Sequence, residues 1–418
     1  MDSFTINRLG HQGDGIAEGP IFAPRTLPGE VVSGTLDGRH LKDIRIDSPS
    51  ENRVKPLCAH YKACGGCGLQ HASDEFVAAF KVDVVRQALA AQGISPEFRE
   101  ILTSPPGSRR RATLAARRTK KGVLVGFHAR ASDTITEIPG CVLVSPDILS
   151  ARDAIAALTE AGSSRKGALA VTVTVSEGGL DLAVRGGKPL DGPLQILLAG
   201  IAERHDLARL TWDDEVVVTR RTPIQRFGAA QVAPPPGAFL QATVEGEAAL
   251  LSAVIEATQG AQHILDLFAG SGTFTLPLAE KAEVHAIEAD RAMIEALDKG
   301  WRHASGLKRV TAQARDLFRN PVIAQDLKRF DAVVIDPPRA GAEAQTQELA
   351  ASQIPQIAFV SCNPVTFARD ARMLVDGGYR LNWVQVVDQF RWSAHVELAA
   401  SFTLAQMVQN RSRGVAQS

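Results

Sequence analysis

After Gly237 the chain carries four short, mainly apolar runs without strand-like alternation, Ile264-Leu-Asp-Leu267, Val284-His-Ala-Ile287, Ala332-Val-Val-Ile335 and Ile357-Ala-Phe-Val360. Each is spaced from the next by enough residues for a helix. Strands that are apolar on both faces belong to a parallel sheet covered by crossover helices, because antiparallel sheets with one wet face alternate instead. Right-handed βαβ connections then make 236–418 a doubly wound, Rossmann-like α/β domain whose ligand crevice lies at the carboxyl ends of its strands.

Upstream the patterns differ. Over 1–53, brief runs such as Ile21-Phe-Ala23 and Val31-Val32 are separated by Gly-Asp-Gly, Leu-Pro-Gly and Asp-Gly turn signals, as in a small β-barrel. From Ser73 the spacing turns helical, with Phe76, Val77, Phe80, Val84 and Leu89 on one face, Ser73 as N-cap and Gly93 as stop. Val171-Thr-Val-Thr-Val175 and Val216-Val-Val-Thr219 make 54–235 a central α+β domain, and the Pro-rich run at 233–237 connects it to the last domain. A length of 418 residues accommodates three such domains.

The 46 Lys+Arg and 46 Asp+Glu cancel, so a polyanionic partner has to be argued locally. No apolar run approaches the ~18 residues of a membrane span, and the N-terminus lacks a basic segment followed by an apolar one. Five cysteines, an odd number, suit metal-binding or catalytic thiols in a reducing compartment better than a disulfide framework. A cytoplasmic protein without membrane association is expected.

The chemistry is concentrated at the ends of the apolar runs. Asp266-Leu-Phe-Ala-Gly-Ser-Gly-Thr273 leads from strand to helix, where Gly270 and Gly272 let backbone amides approach a ligand. Glu288 ends the next strand about 20 residues later, where a carboxylate accepts from ribose hydroxyls. Loop and acid together indicate an adenosine-containing cofactor, but the third glycine of a dinucleotide fingerprint is missing. Asp336-Pro-Pro-Arg339 holds a carboxylate rigidly at another strand end. Ser361-Cys362-Asn363-Pro364 aims a thiol at the same crevice, where the following helix is expected to depress its pKa toward thiolate. Glu397 in His395-Val-Glu397 opens the final strand as an acid/base partner.

Cys58, Cys64 and Cys67 lie within ten residues, in a glycine-rich setting that permits a tight wrap, and Cys141 supplies a fourth thiolate outside the crevice. Four thiolates suit zinc or an iron–sulfur cluster; the distant fourth ligand and unequal spacing favour the cluster. His60 and His71 read as exposed neighbours. Residues 105–130 carry eight Lys/Arg and no acid, with Gly126-Phe-His128 as a stacking face, which is a candidate surface for phosphate and base.

In this order, the cysteine motif Cys58-x5-Cys64-Gly-Gly-Cys67-x-Leu-Gln-His71, Asp336-Pro-Pro-Arg339, Ser361-Cys-Asn-Pro364 and His395-Val-Glu397 resemble the RNA uracil-C5 methyltransferases, specifically the type acting on 23S ribosomal RNA. The resemblance spans nearly the whole chain. Gly13-Asp-Gly-Ile-Ala17 and Leu27-Pro-Gly-Glu30 are similar to the RNA-holding, OB-like TRAM barrel of such enzymes. It implies a class I S-adenosylmethionine-dependent methyltransferase domain at the C-terminus and a [4Fe-4S] cluster on Cys58, Cys64, Cys67 and Cys141. It further implies cofactor contacts from Gln241, Phe268, Thr273, Glu288, Asp316 and Asp336, with Cys362 as nucleophile and Glu397 as general base. A monomer acting on 23S rRNA is expected, with tRNA as the alternative substrate. Thr273 stands where relatives often have Asn, and with only two tyrosines base stacking falls to Phe, His or Trp392. From other classes, the candidates are a non-catalytic RNA-binding protein with structural zinc and an iron–sulfur oxidoreductase.

Overall fold

In the computed structural model, which describes residues 2–405, strands β1 (Asp2–Leu9), β2 (Gly15–Ala17), β3 (Ile21–Ala23), β4 (Val31–Asp37) and β5 (His40–Ser48) close a barrel in the order β1-β2-β3-β5-β4. Closure removes the free edges that such short strands would expose. The barrel's core is small, built on Ile6, Ala17, Ala23, Val32 and Leu41. Buried Glu30 ties it to the next segment, accepting from the Leu27 amide at 2.8 Å and from Arg53 Nη2 at 2.8 Å.

Helix α1 (Asp74–Ala90) starts where the sequence places it, with the Ser73 hydroxyl accepting from the Phe76 amide. Its buried face is not the expected one. Val77, Lys81, Val85 and Leu89 are buried, whereas Phe76, Phe80 and Val84 are half-buried and border a cleft. A lysine causes the difference: Lys81 Nζ lies fully buried, 2.5 Å from Asp388 Oδ1 and 3.1 Å from the Phe390 carbonyl. Short strands β6 (Glu97–Phe98) and β7 (Leu102–Thr103) then add to the edge of the C-terminal sheet, so 74–103 packs with that domain although it precedes the central one.

The central sheet runs β10-β9-β8-β11-β12-β13-β14, from β8 (Arg111–Thr119), β9 (Gly122–His128), β10 (Ile135–Glu137), β11 (Ala168–Ser176), β12 (Gly179–Arg185), β13 (Arg209–Trp212) and β14 (Glu215–Thr219). Helices α2 (Pro146–Ser150), α3 (Arg152–Gly162) and α4 (Gly192–Arg204) bury Ile148, Ile155, Leu158 and Leu198 in one core with Leu114, Val171 and Trp212. A hairpin, β15 (Gln225–Phe227) and β16 (Ala230–Val232), packs through Phe227 and Val232 on Leu240 and Leu276. By packing, therefore, the hairpin belongs with the C-terminal domain.

The remaining elements are α5 (Val244–Ala257), β17 (His263–Leu267), α6 (Thr275–Leu278), β18 (Glu283–Glu288), α7 (Arg291–His303), β19 (Val310–Ala314), α8 (Ala324–Leu327), β20 (Ala332–Ile335), α9 (Glu343–Ala351), β21 (Gln356–Ser361), α10 (Pro364–Asp376), β22 (Tyr379–Asp388) and β23 (Glu397–Leu404). All four apolar runs are parallel strands and, with β19 added at one edge, stand in the order β19-β18-β17-β20-β21, with β23 inserted antiparallel between β21 and β22. Both faces are covered. Leu265, Leu267, Ile357 and Phe359 face α1 and α10, while Ile264, Ala358 and Val360 face α5. The strand order reverses between β17 and β20, which opens a crevice at their carboxyl ends. Among the described residues no helix is long and apolar enough to cross a membrane.

Candidate active site

The turn after β17 brings backbone amides into that crevice. Phe268, Gly270 and Gly272 all have positive φ, of 63°, 55° and 98°. At Gly272 a Cβ would also lie 2.9 Å from Leu276 Cδ1, so this close turn requires glycine. Glu288, at the end of β18, is held by the Gly270 amide at 3.1 Å and the Asp290 amide at 3.0 Å. The Phe268 ring lies 5.6 Å from that of Phe318, and Thr273 is half-buried at the end of the loop. Asp316, exposed just past β19, accepts from the Phe318 amide at 2.9 Å. Beneath the loop, Asp266 is fully buried and accepts from Thr275 Oγ1 at 2.5 Å; its other oxygen and the Ser271 hydroxyl are buried without a partner.

Across the switch point stand the candidate reacting groups. Asp336 follows β20 directly, and Cys362 follows β21 in a turn fixed by Asn363. The Asn363 side chain accepts from the Val365 amide at 3.1 Å to cap α10 and donates to the Arg339 carbonyl at 2.8 Å. Glu397 enters from β23, whose antiparallel direction puts its first residue at the same edge. Gln241, also buried, is linked to it: Gln389 Nε2 lies 2.5 Å from Gln241 Oε1 and 3.1 Å from Glu397 Oε2. Sequence reasoning assigns no role to Gln389 or to Asp266. A polar residue inside the run Ile264-Leu-Asp-Leu267 is a signal for the second; Gln389 lies between strands and has none.

The crevice is crowded with acids. Burial pushes the Asp266 carboxyl up to about 7, and Glu288 adds to it. Asp336 and Glu397 are raised well above the carboxylate range, by burial first and then by neighbouring acids, Asp266 for Asp336 and Asp336 for Glu397. Burial, then Glu397 and Asp336, push the Cys362 thiol up to about 11, with Arg339 opposing. The expectation of a thiol depressed by the following helix is thus corrected: burial beside two carboxyls outweighs the start of α10.

Cys362 lies on the wall of a cleft of about 1110 Å³, bordered also by the barrel (Arg8, Arg25), the cysteine loop and the Phe76–Phe80 side of α1. Cys58, Cys64, Cys67 and Cys141 come together around one small cavity, closed by Tyr61, Phe127 and Leu143. Burial raises Cys64, and Cys67 to about 12, with the other thiols adding to both. The Gly66 amide donates to Cys64 Sγ at 3.3 Å. Four thiols on one cavity, Cys58 and Cys64 buried and Cys67 and Cys141 half-buried, with amide support are a fitting donor set for a thiophilic metal, which would displace the thiol protons. Among the described residues no three His, Cys, Asp or Glu side chains gather as a single bound ion would require.

Several expectations near this cavity are corrected. His71 is buried, its Nδ1 2.6 Å from the Tyr61 hydroxyl, and burial lowers it to about 4. Phe127 is half-buried and lines the thiol cavity while His128 is exposed; Trp392 is 3% exposed, its carbonyl accepting from the Gly68 and Leu69 amides, so Trp392 offers no stacking face. The basic run divides between the cleft and contacts elsewhere, with Arg109 and Arg130 bordering the cleft of Cys362. Arg110 pairs with Glu247 at 2.5 Å, Arg111 reaches the Gly237 carbonyl at 2.9 Å and Arg130 pairs with Asp14 at 2.5 Å, which fastens domains together, while Lys120 and Lys121 are exposed at the β8–β9 turn.

A parallel sheet with its last strand inserted antiparallel, a glycine loop after its first strand and an acid ending the second defines a class I methyltransferase domain. An uncharacterized RNA methyltransferase of Rhizobium meliloti is 45% identical over 95% of this chain and 98% of its own length; RlmD of Shewanella piezotolerans, a 23S rRNA (uracil(1939)-C(5))-methyltransferase, is 32% identical over 97% and 96%. The chain belongs to the RNA (uracil-5-)-methyltransferase family. A family model described as tRNA (Uracil-5-)-methyltransferase matches residues 231–404. The fold is shared with the tRNA (uracil-54, C5)-methyltransferase of Pyrococcus abyssi, solved in complex with S-adenosyl-L-homocysteine, at a TM-score of 0.76 and 24% identity over 96% of this chain and 99% of that one.

Proposed function

We propose that the protein transfers a methyl group from S-adenosylmethionine to C5 of a uridine in 23S rRNA, through a covalent bond between Cys362 and C6 of the base. The observation that carries this reading is the set Cys362, Glu397 and Asp336 at one sheet edge, a thiol between two carboxyls that each raise its pKa. S-adenosylmethionine supplies a methyl on a positively charged sulfur. Asp266, Glu288 and Asp336 form an acidic crevice that favours such a cation and disfavours the pyrophosphate of a dinucleotide, which argues against the oxidoreductase. Glu288 would take the ribose, Phe268, Thr273 and Asp316 the adenosine side, and Gln241 and Asp336 the end nearer Cys362.

Uracil C5 is too weak a nucleophile to take the methyl unaided. Addition of the Cys362 thiolate to C6 breaks the C5–C6 double bond and leaves an enolate whose C5 bonds to the methyl carbon as that carbon's bond to the cofactor sulfur breaks, leaving S-adenosylhomocysteine. Glu397 takes the C5 proton, the double bond re-forms and the carbon–sulfur bond breaks, returning the thiolate and releasing 5-methyluridine. A stacked base hides C6, so the uridine must lie in a loop or be flipped into the cleft.

The near full-length RlmD relative supports 23S rRNA, and the tRNA enzyme with the same fold supports tRNA as the second reading. Labelled S-adenosylmethionine with unmodified 23S rRNA or tRNA separates them: label is expected at C5 of a 23S uridine and none with Cys362→Ala. Full transfer by that variant would overturn the mechanism. Cys58, Cys64, Cys67 and Cys141 would hold a [4Fe-4S] cluster. Anaerobically purified protein should then be brown and contain iron and sulfide, whereas a colourless protein with one zinc would replace the cluster by zinc.

A further inference from the structure

Gln389 takes no part in the proposed chemical steps, yet it lies 2% exposed among the residues that do. Its carboxamide is fully engaged. Oε1 accepts from the Ala242 amide at 2.7 Å, and Nε2 stands 2.5 Å from Gln241 Oε1 and 3.1 Å from Glu397 Oε2. A primary amide has two N–H bonds, one for each of these acceptors. The Ala242 amide can only donate, so it fixes which end of the Gln389 side chain is oxygen, and a flipped side chain would lose all three bonds. The residue is also packed closely against α5. A Cβ on Gly246 would lie 2.6 Å from Gln389 Cβ, and the preceding residue, Asp388, is pinned by Lys81.

We propose that Gln389 is a positioning residue for removal of the C5 proton, holding one oxygen of Glu397 through one N–H while its other N–H is anchored on the side chain of Gln241. This rests on the reading of Glu397 as the base. Glu397 faces Asp336 and Arg339 from the turn after β20, Cys362 from the turn after β21 and Gln389 from the end of β22. Of these, Asp336 and burial oppose ionisation, and Gln389 and Arg339 favour it. The Gln389 N–H therefore keeps Glu397 able to accept the C5 proton and leaves its other oxygen for that proton. Without the donor, Glu397 stays protonated to higher pH. Proton removal slows at neutral pH and recovers in alkali, while thiolate addition and methyl transfer, which precede it, do not depend on the base.

The test uses the full-length protein with saturating S-adenosylmethionine. Release of methylated RNA over many turnovers is followed from pH 6 to 10 in wild type, Gln389→Met and Gln389→Glu. In parallel, covalent trapping is measured on 5-fluorouridine RNA, whose C5 fluorine cannot leave as a proton. A hydrogen bond to a charged group is worth roughly one to two pH units, so the acid limb of Gln389→Met should move up by at least about one unit and turnover at neutral pH should fall about tenfold or more. Trapping should stay within about threefold of wild type. Gln389→Glu keeps the shape of the side chain and places a like charge beside Glu397, so its limb should move at least as far. An unmoved limb in both variants, or trapping reduced as much as turnover, would overturn the proposal. Failure of wild type to trap at all would instead overturn the covalent mechanism.

Discussion

At Cys362 the raised thiol conflicts with the need for a thiolate, and bound charge resolves the conflict. Burial, Glu397 and Asp336 hold the thiol near 11, and a sulfonium placed by the same carboxylates offsets their field. Alkylation of Cys362 by iodoacetamide, mapped by mass spectrometry, should titrate near pH 11 in the protein alone and lower with S-adenosylmethionine. S-adenosylhomocysteine, whose sulfur is uncharged, occupies nearly the same space and should leave the midpoint high; equal midpoints with both ligands would remove the sulfonium charge as the cause. Asp336 carries a linked cost. Its carboxyl is raised in the folded chain and ordinary in the unfolded one, so between those two values the native state holds a proton the unfolded state has lost. Stability falls as pH rises through that window and stays lowered above it. Asp336→Asn should therefore raise the unfolding temperature more at pH 8 than at pH 4, and lose activity; an equal gain at both would refute the linkage. Cys362, Asp336 and Glu397 were legible because apolar runs announce where strands end. The direction of the thiol shift was not, since burial and facing acids come from segments distant in the chain.

Helix α1 shows what hydropathy misses at the level of an element. Its cap, start and end follow from Ser73 and Gly93, but its buried side follows from Lys81 and Asp388, 307 residues apart. An ion pair is readable only once both partners are in place. The pair sits beside Gln389, and Arg391 and Trp392 on the same segment bond Asp74 at the start of α1, at 2.5 and 3.2 Å. α1 thus clamps the 388–397 segment that delivers Glu397. Removing one member of a buried pair strands the other, which costs about 3–5 kcal/mol. Lys81→Met should lose roughly that much in denaturant unfolding, and Lys81→Met with Asp388→Asn should recover part of it. If Lys81→Met unfolds at the wild-type midpoint, α1 is held by its apolar contacts alone. Strands β17, β18, β20 and β21 were readable because burial on both faces leaves a continuous signature. The hairpin β15–β16 and the edge strands β6 and β7 were not, being too short for any period to show.

Across the whole molecule, the cysteine loop is where three bodies meet. The Lys62 carbonyl accepts from Arg25 of the barrel at 2.7 Å, the Gly65 amide donates to His128 of the central sheet at 2.9 Å, and the Gly68 and Leu69 amides donate to Trp392 of the catalytic segment at 2.8 and 2.9 Å. Cys141, arriving after β10, closes the site from the central domain. Division of the sequence into three domains made the cysteines look local, and the balanced charge concealed that Arg110, Arg111 and Arg130 are spent on joining those domains. Contacts between such distant segments leave no periodic trace. A metal centre on the four thiols would accordingly hold the cleft in shape, with no part in the bond-making steps. Cys67→Ser should lower the unfolding temperature by several degrees and open residues 58–71 and 388–397 to proteolysis. Methylation of RNA should fall about tenfold or more, because even a small misplacement of reacting groups removes much of the advantage of holding them in line. Binding of S-adenosylmethionine, measured by equilibrium dialysis, should change little, because Phe268, Glu288 and Asp316 stand on the far strands β17 to β19. Wild-type methylation and melting in Cys67→Ser would show that the thiols do not join the three bodies; cofactor affinity lost in step with methylation would place their effect in the catalytic domain rather than in the cleft.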